Sequence, residues 1–165
     1  MSLFQESSVK ETIEEIEFIP IEPIKEESKE MSNEEKFIKV CLEALDTDPS
    51  TPDTVDDEVG CADTVSHLLK KVFPDFPILV STKDLDHKMF MDKRFKRMEI
   101  PNRGRIVISP RTNTKYGHVG VFITNERIAS NDSRTGLFQG NYTWESWIEE
   151  FKFKRKLKIY IYELQ

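Results

Sequence analysis

Two residues able to perform acyl-transfer chemistry stand 57 positions apart: Cys61 in a Gly-Cys-Ala-Asp segment and His118 in a Gly-His-Val-Gly segment. A thiolate is a strong nucleophile, and a neighbouring imidazole can take the proton of the thiol. The apolar spacing after Cys61 predicts a helix, whose N-terminal N–H groups and dipole stabilise a thiolate. His118 begins an apolar run that predicts a strand. We therefore interpret Cys61 as a candidate nucleophile and His118 as its candidate general base.

A base of this kind needs a third polar group to orient it. Residues 127–131 predict a strand that returns past His118 after a tight turn. A two-residue turn would pair Thr124 with Arg127 and would place His118 across from Ser133. The candidates for the orienting group are then Asn131, which we favour, and Asp132 as the alternative.

The remaining cysteine and histidines have simpler interpretations. Cys41 lies among apolar residues at helical spacing, which predicts a buried structural thiol. His67 follows Cys61 by six residues, which places it on roughly the opposite face of the same helix. His87 lies in a charged stretch and is interpreted as a solvated side chain. A metal site built from Cys61, His118 and a carboxylate is not favoured, because the sequence lacks close ligand pairs, and we expect no metal and no cofactor.

The order of the predicted elements is helices first and an antiparallel sheet afterwards, which indicates an α+β fold with N-terminal helices packed on a small sheet. In such a fold the helix carrying Cys61 can pack across the sheet carrying His118. The predicted elements are a helix over 33–45 capped by Ser32 and Glu35, an exposed loop over 46–58, a helix from Cys61 to Val72, a helix capped at Ser81-Thr82 with Leu85, Met89 and Phe90 inside, strands over 105–109, 118–124 and 127–131, a helix over 144–151 and a strand over 157–162.

Charge divides the chain unevenly. Residues 1–35 hold eleven Glu and three Lys, and we interpret residues 1–31 as an acidic, disordered tail that offers a docking segment to a protein partner. Residues 32–165 form the predicted catalytic domain. Residues 93–165 hold fifteen Lys or Arg against seven Asp or Glu. A solvated strand face explains the basic cluster at 152–158 better than nucleic-acid binding does.

No segment approaches the ~18 consecutive apolar residues of a membrane span. The first residues also lack the basic start and apolar centre of a secretory signal. These observations leave the location of the protein open.

Several segments resemble the papain-like peptidoglycan hydrolases, which comprise the NlpC-type endopeptidases and the CHAP class of amidohydrolases and peptidases. The resemblance covers about residues 55–163 and is carried by Gly60-Cys61, the strand entry at 103–107, Gly-His-Val-Gly-Val at 117–121 and Asn131-Asp132. The segment at 128–136, with Trp147 downstream, is similar to small phage-encoded members.

This resemblance implies a papain-like fold and cleavage of a peptidoglycan amide bond through a thioester. It implies Cys61 as nucleophile, His118 as base, Asn131 or Asp132 as orienter, and an oxyanion site that includes the backbone N–H of Cys61. Arg105 departs from the pattern, since many relatives have Asp there. The alternatives are an inactive structural or virion-associated module of the same fold, and an acyltransferase or deamidase that uses the same pair.

Overall fold

The computed structural model describes residues 29–52 and 57–165, with side chains from residue 60 onward in the second range. Most of the acidic tail, residues 1–28, lies outside the described residues. The capping box at the start of the first helix is confirmed. Ser32 Oγ accepts a hydrogen bond from the Glu35 N–H at 3.1 Å, and Glu35 Oε2 accepts one from the Ser32 N–H at 2.7 Å.

The described part of the chain has an α+β fold in which helices cover both faces of a six-stranded antiparallel sheet. The strand order is β1-β6-β2-β3-β4-β5. Within the described ranges, no helix has the length and apolar content to cross a membrane. The elements are α1 Asn33–Ala44, α2 Asp57–Val72, α3 Thr82–Met91, β1 Phe95–Met98, β2 Ile106–Ser109, β3 His118–Phe122, β4 Arg127–Asn131, β5 Phe138–Thr143, α4 Trp144–Trp147, a π-helix Ile148–Lys154, and β6 Tyr160–Leu164.

Alternation along β3 divides the interior into two cores, because successive side chains of a strand point to opposite faces. Val119 and Val121 enter the larger core, which α1, α2 and α3 cover. Phe122 enters the smaller core, which contains Trp147 and Phe151 from α4 and the π-helix. We call these the α2 face and the Trp147 face of the sheet.

The structure corrects several predicted elements. The second helix begins at Asp57, so Cys61 lies in its second turn and not at its start. Phe90 is 57% exposed and does not belong to the inner face of α3, because it lies about 100° around the helix from the buried Met89. The final strand begins at Tyr160. The helix predicted from Trp144 to Phe151 is a short α-helix that continues as the π-helix.

The predicted register between β3 and β4 is wrong by one residue. Gly120 pairs with Ser130, whereas a Thr124–Arg127 pair would have placed Gly120 opposite Asn131. The backbone carbonyl of Arg127 accepts hydrogen bonds from both the Ile123 and the Thr124 N–H groups. Three residues therefore lie between Ile123 and Arg127, one more than a two-residue turn contains. A slip of one residue exchanges the two faces of a strand. Ser130, and not Asn131, therefore shares a face with His118.

Candidate functional site

The candidate site lies where the pairing of β3 with β4 ends. The last pair at this end is Gly120 with Ser130. Phe122 donates its N–H to Arg105 on the β2 side. Backbone N–H groups alternate between the two neighbours of an antiparallel strand, so Val119, three residues earlier, directs its N–H toward β4.

The thiol of Cys61 occupies this opening. Its sulfur accepts a hydrogen bond from the Val119 N–H and interacts with the backbone N–H groups of residues 61 and 62. Gly60 brings α2 close to β4, because a Cβ at Gly60 would lie 2.7 Å from Asn131 Nδ2. The thiol is therefore held beside the backbone of the residue that follows His118.

Burial controls the protonation of this thiol. Cys61 is 1% exposed, and desolvation raises its pKa to about 11, although the backbone hydrogen bonds to the sulfur act in the opposite direction. The thiol is protonated near pH 7. The site at rest therefore contains a neutral thiol.

The ring of His118 lies against aromatic side chains on the Trp147 face. It stacks on Trp147 and Phe151, with centroid separations of 5.4 Å and 5.6 Å, and it packs at an angle against Tyr142 at 5.7 Å. The pKa of His118 is lowered to about 4, mainly by burial and also by the positive charge of Arg155, while the negative charge of Asp132 acts in the opposite direction. The imidazole is therefore neutral at pH 7, as the thiol is.

The hydrogen bond of the His118 ring goes to a residue that the sequence prediction missed. In the described part of the chain, His118 Nε2 lies 2.9 Å from Ser130 Oγ. Ser130 Oγ in turn donates to Asn141 Oδ1 of β5 at 2.7 Å. The correct register would have identified Ser130, because it places Ser130 on the His118 face of the neighbouring strand.

The two predicted orienting residues occupy different places. Asn131 lies on the α2 face, with its side chain against Gly60. Asp132 interacts electrostatically with His118, but its carboxylate binds Arg134 at 3.0 Å, and this hydrogen-bonded partner lowers the pKa of Asp132. The four predicted residues thus lie near one end of β3 and β4 but on two faces of the sheet. Cys61 and Asn131 lie on the α2 face, whereas the His118 ring lies on the Trp147 face, where Ser130 holds it.

A polar cleft of about 440 Å³ opens beside the His118 ring. The thiol of Cys61 is not part of its lining and lies behind β3, toward α2. A substrate in this cleft would meet the imidazole directly. The lining residues are Tyr116, Gly117, His118, Asn131, Asp132, Ser133, Arg134, Asn141, Tyr142, Phe151 and Arg155.

No protein-family model and no curated protein matches this sequence. Among solved structures, the chain is similar to one in the crystal structure of the native type VI effector-immunity complex Tae3-Tai3 from Ralstonia pickettii. The sequences are 13% identical, the match covers 82% of this chain and 100% of that chain, and the TM-score is 0.47. The papain-like form of the α+β fold stays a proposal.

A second polar network on α2 lies apart from the cleft. The buried carboxylate of Asp63 accepts from the Thr51 N–H at 2.6 Å, and His67 Nε2 lies 3.0 Å from Thr51 Oγ1. These bonds tie residue 51 to α2 and explain the position of His67. Among the described residues, no group of three or more His, Cys, Asp or Glu side chains could hold a metal ion.

Alkylation by iodoacetamide should distinguish the two thiols and reveal the resting state of the site. Burial raises the pKa of both, and it raises that of Cys41 above that of Cys61. We expect Cys61 to react faster than Cys41 in the folded protein, with a rate that rises about tenfold per pH unit between pH 7 and 9 because the thiolate is the reactive form. Mass spectrometry of peptides from wild type, Cys41→Ser and Cys61→Ser would measure both rates. A rate at Cys61 that does not change with pH would contradict the neutral thiol and indicate a preformed ion pair with His118.

Proposed function

We propose that this chain is a cysteine hydrolase of amide bonds, with Cys61 as nucleophile and His118 as general base. The observation that carries the proposal is the hydrogen bond from the Val119 N–H to the Cys61 sulfur, because it holds the thiol beside the backbone of the residue that follows His118. Support also comes from the ring of His118, which is fixed by Ser130 and by stacking. Acyl transfer requires a positioned nucleophile and a positioned base that come within hydrogen-bond reach of each other in the reaction.

In the proposed reaction, His118 takes the thiol proton while the sulfur attacks the carbonyl carbon of the amide. The proton then passes to the leaving amine, the C–N bond breaks, and a thioester remains on Cys61. Water, deprotonated by His118, attacks the thioester, which releases the carboxylic acid and restores the thiol. Because the pKa of the thiol lies far above that of the imidazole, proton transfer accompanies carbon–sulfur bond formation and does not precede it.

The proposed substrate is a stem peptide of bacterial peptidoglycan. This part of the proposal follows from the sequence resemblance around Cys61 and His118 to papain-like peptidoglycan hydrolases. The cleft is compatible with it, since its polar lining includes the guanidinium groups of Arg134 and Arg155, which suit the carboxylates of such peptides.

Incubation of the purified protein with peptidoglycan, followed by mass spectrometry of the released fragments, tests the proposal. Wild type should release fragments with a new amine and a new carboxylate, and Cys61→Ala should release none. Equal release by both proteins would contradict the proposed nucleophile. Adding a primary amine as a competing acceptor distinguishes a hydrolase from an acyltransferase, because an acyltransferase would give an amide product.

One observation favours a second function, an inactive structural module of the same fold. Cys61 is almost fully buried and does not line the cleft. A structural thiol would have this placement too. No release of fragments from any wall preparation, together with equally slow alkylation of Cys61 and Cys41, would favour this second function.

A further inference from the structure

The single proton of Ser130 determines which nitrogen of His118 is basic. Ser130 Oγ lies between His118 Nε2, at 2.9 Å, and Asn141 Oδ1, at 2.7 Å. A hydroxyl has one proton to donate, and an amide oxygen can only accept. The proton of Ser130 therefore points to Asn141, and the oxygen of Ser130 must accept from His118.

A neutral imidazole carries one N–H. If that N–H is at Nε2, where it donates to Ser130, then Nδ1 carries the free lone pair. The lowered pKa of His118 keeps the ring neutral at pH 7, so this choice between tautomers exists there. Ser130 is 0% exposed, and bulk water cannot readily replace either of its partners.

An irregularity in β5 accompanies the position of Asn141. Ile128 pairs with Tyr142 and Ser130 pairs with Gln139, so β5 contains one residue more than β4 between these pairs. Such a bulge interrupts the alternation of side chains and can turn one toward a neighbouring site. The amide of Asn141 reaches Ser130 from this bulge.

We propose that Asn141 is a positioning residue, which acts through Ser130 to hold His118 as the Nε2–H tautomer and leaves Nδ1 as the basic nitrogen. The catalytic consequence rests on the proposed function, because only the unprotonated nitrogen of His118 can take the proton of Cys61. The tautomer itself is independent of any activity. Asn141 lies on an edge strand and needs no contact with the reacting atoms to have this effect.

Nitrogen NMR of the histidine side chains at pH 7 tests the proposal on the wild-type protein. We expect a protonated, pyrrole-type signal for His118 Nε2 and an unprotonated, pyridine-type signal for Nδ1. His118→Gln identifies these signals among those of the three histidines. A protonated Nδ1 in wild type would overturn the proposal without need of any further variant.

Two variants of Asn141 test whether this residue sets the tautomer. Asn141→Ala frees the proton of Ser130 to point at His118, so the two tautomers should become comparable in population. About half of the molecules would then hold the inactive Nδ1–H tautomer, so kcat should fall about twofold. Asn141→Asp should keep the wild-type signals, because a carboxylate also accepts from the hydroxyl. Unchanged signals in Asn141→Ala would overturn the role of Asn141.

The outcomes also separate this inference from the proposed function. An Nε2–H tautomer in a protein that cleaves no amide supports the positioning role and contradicts the hydrolase. An Nδ1–H tautomer in an active protein would contradict the positioning role and support the hydrolase.

Discussion

Replacement of Cys61 by alanine should lower the rate of amide cleavage by a factor on the order of 10³ or more, since removal of a nucleophile leaves only the contribution of binding and oxyanion donors. His118→Ala should produce a loss of similar size, because the nucleophile and its base act as one unit. The thiol of Cys61 cannot act without the base, since burial raises its pKa to about 11. Steady-state release of fragments from peptidoglycan measures both losses.

Cys41→Ala is the matched control for this experiment. Cys41 is also buried, but it lies on α1 and has no part in the proposed reaction. We expect its activity to stay within about twofold of wild type, at some cost in stability. Additive losses in the Cys61→Ala, His118→Ala double variant would contradict a shared reaction, because two members of one catalytic unit give a combined loss close to that of either alone.

Replacement of Trp147 by alanine should destabilise the fold by about 3 to 5 kcal/mol, the usual cost of deleting a buried aromatic side chain. Trp147 is 0% exposed, contacts the rings of His118, Tyr142 and Phe151, and donates its indole N–H to Ser109 Oγ at 3.2 Å. The change would leave a cavity and an unpaired hydroxyl beneath His118. Urea unfolding followed by circular dichroism measures the free energy of unfolding.

Trp144→Ala provides the comparison for this prediction. Trp144 is only partly buried and packs edge-on against Phe122 at 5.8 Å. Removal of its side chain should therefore lower the free energy of unfolding by less than removal of Trp147 does. Equal losses of unfolding free energy in the two variants would contradict a larger contribution of Trp147 to the smaller core.

The sequence was sufficient to predict the helix of Cys61 and the strands of His118 and Ser130. Capping signals located the first helix, and β-branched runs located the strands that begin at His118 and Arg127. The register between those strands could not be predicted from the spacing of apolar residues, because it depends on the hydrogen bonds of the connecting turn. The Thr124 hydroxyl accepts from the Glu126 and Arg127 N–H groups there, and no spacing of apolar residues reveals this.

Two strands were missed because they are the edges of the sheet. β1 has one buried residue, Phe95, and β5 has one, Phe138. An edge strand with a single apolar anchor shows little alternation, so its pattern is close to that of a loop. Missing β5 had a direct consequence for the site, since Asn141 belongs to that strand.

The position of β6 between β1 and β2 has a consequence for the order of folding. Strands β2 to β5 follow one another in sequence and in space, so the half of the sheet with His118, Ser130 and Asn141 can pair without β6. β1 cannot join the sheet before β6, because Phe95 pairs with Leu164. A folding intermediate that lacks β6 therefore exposes an unpaired edge of β2, and aggregation and chaperone binding should be greatest in this intermediate.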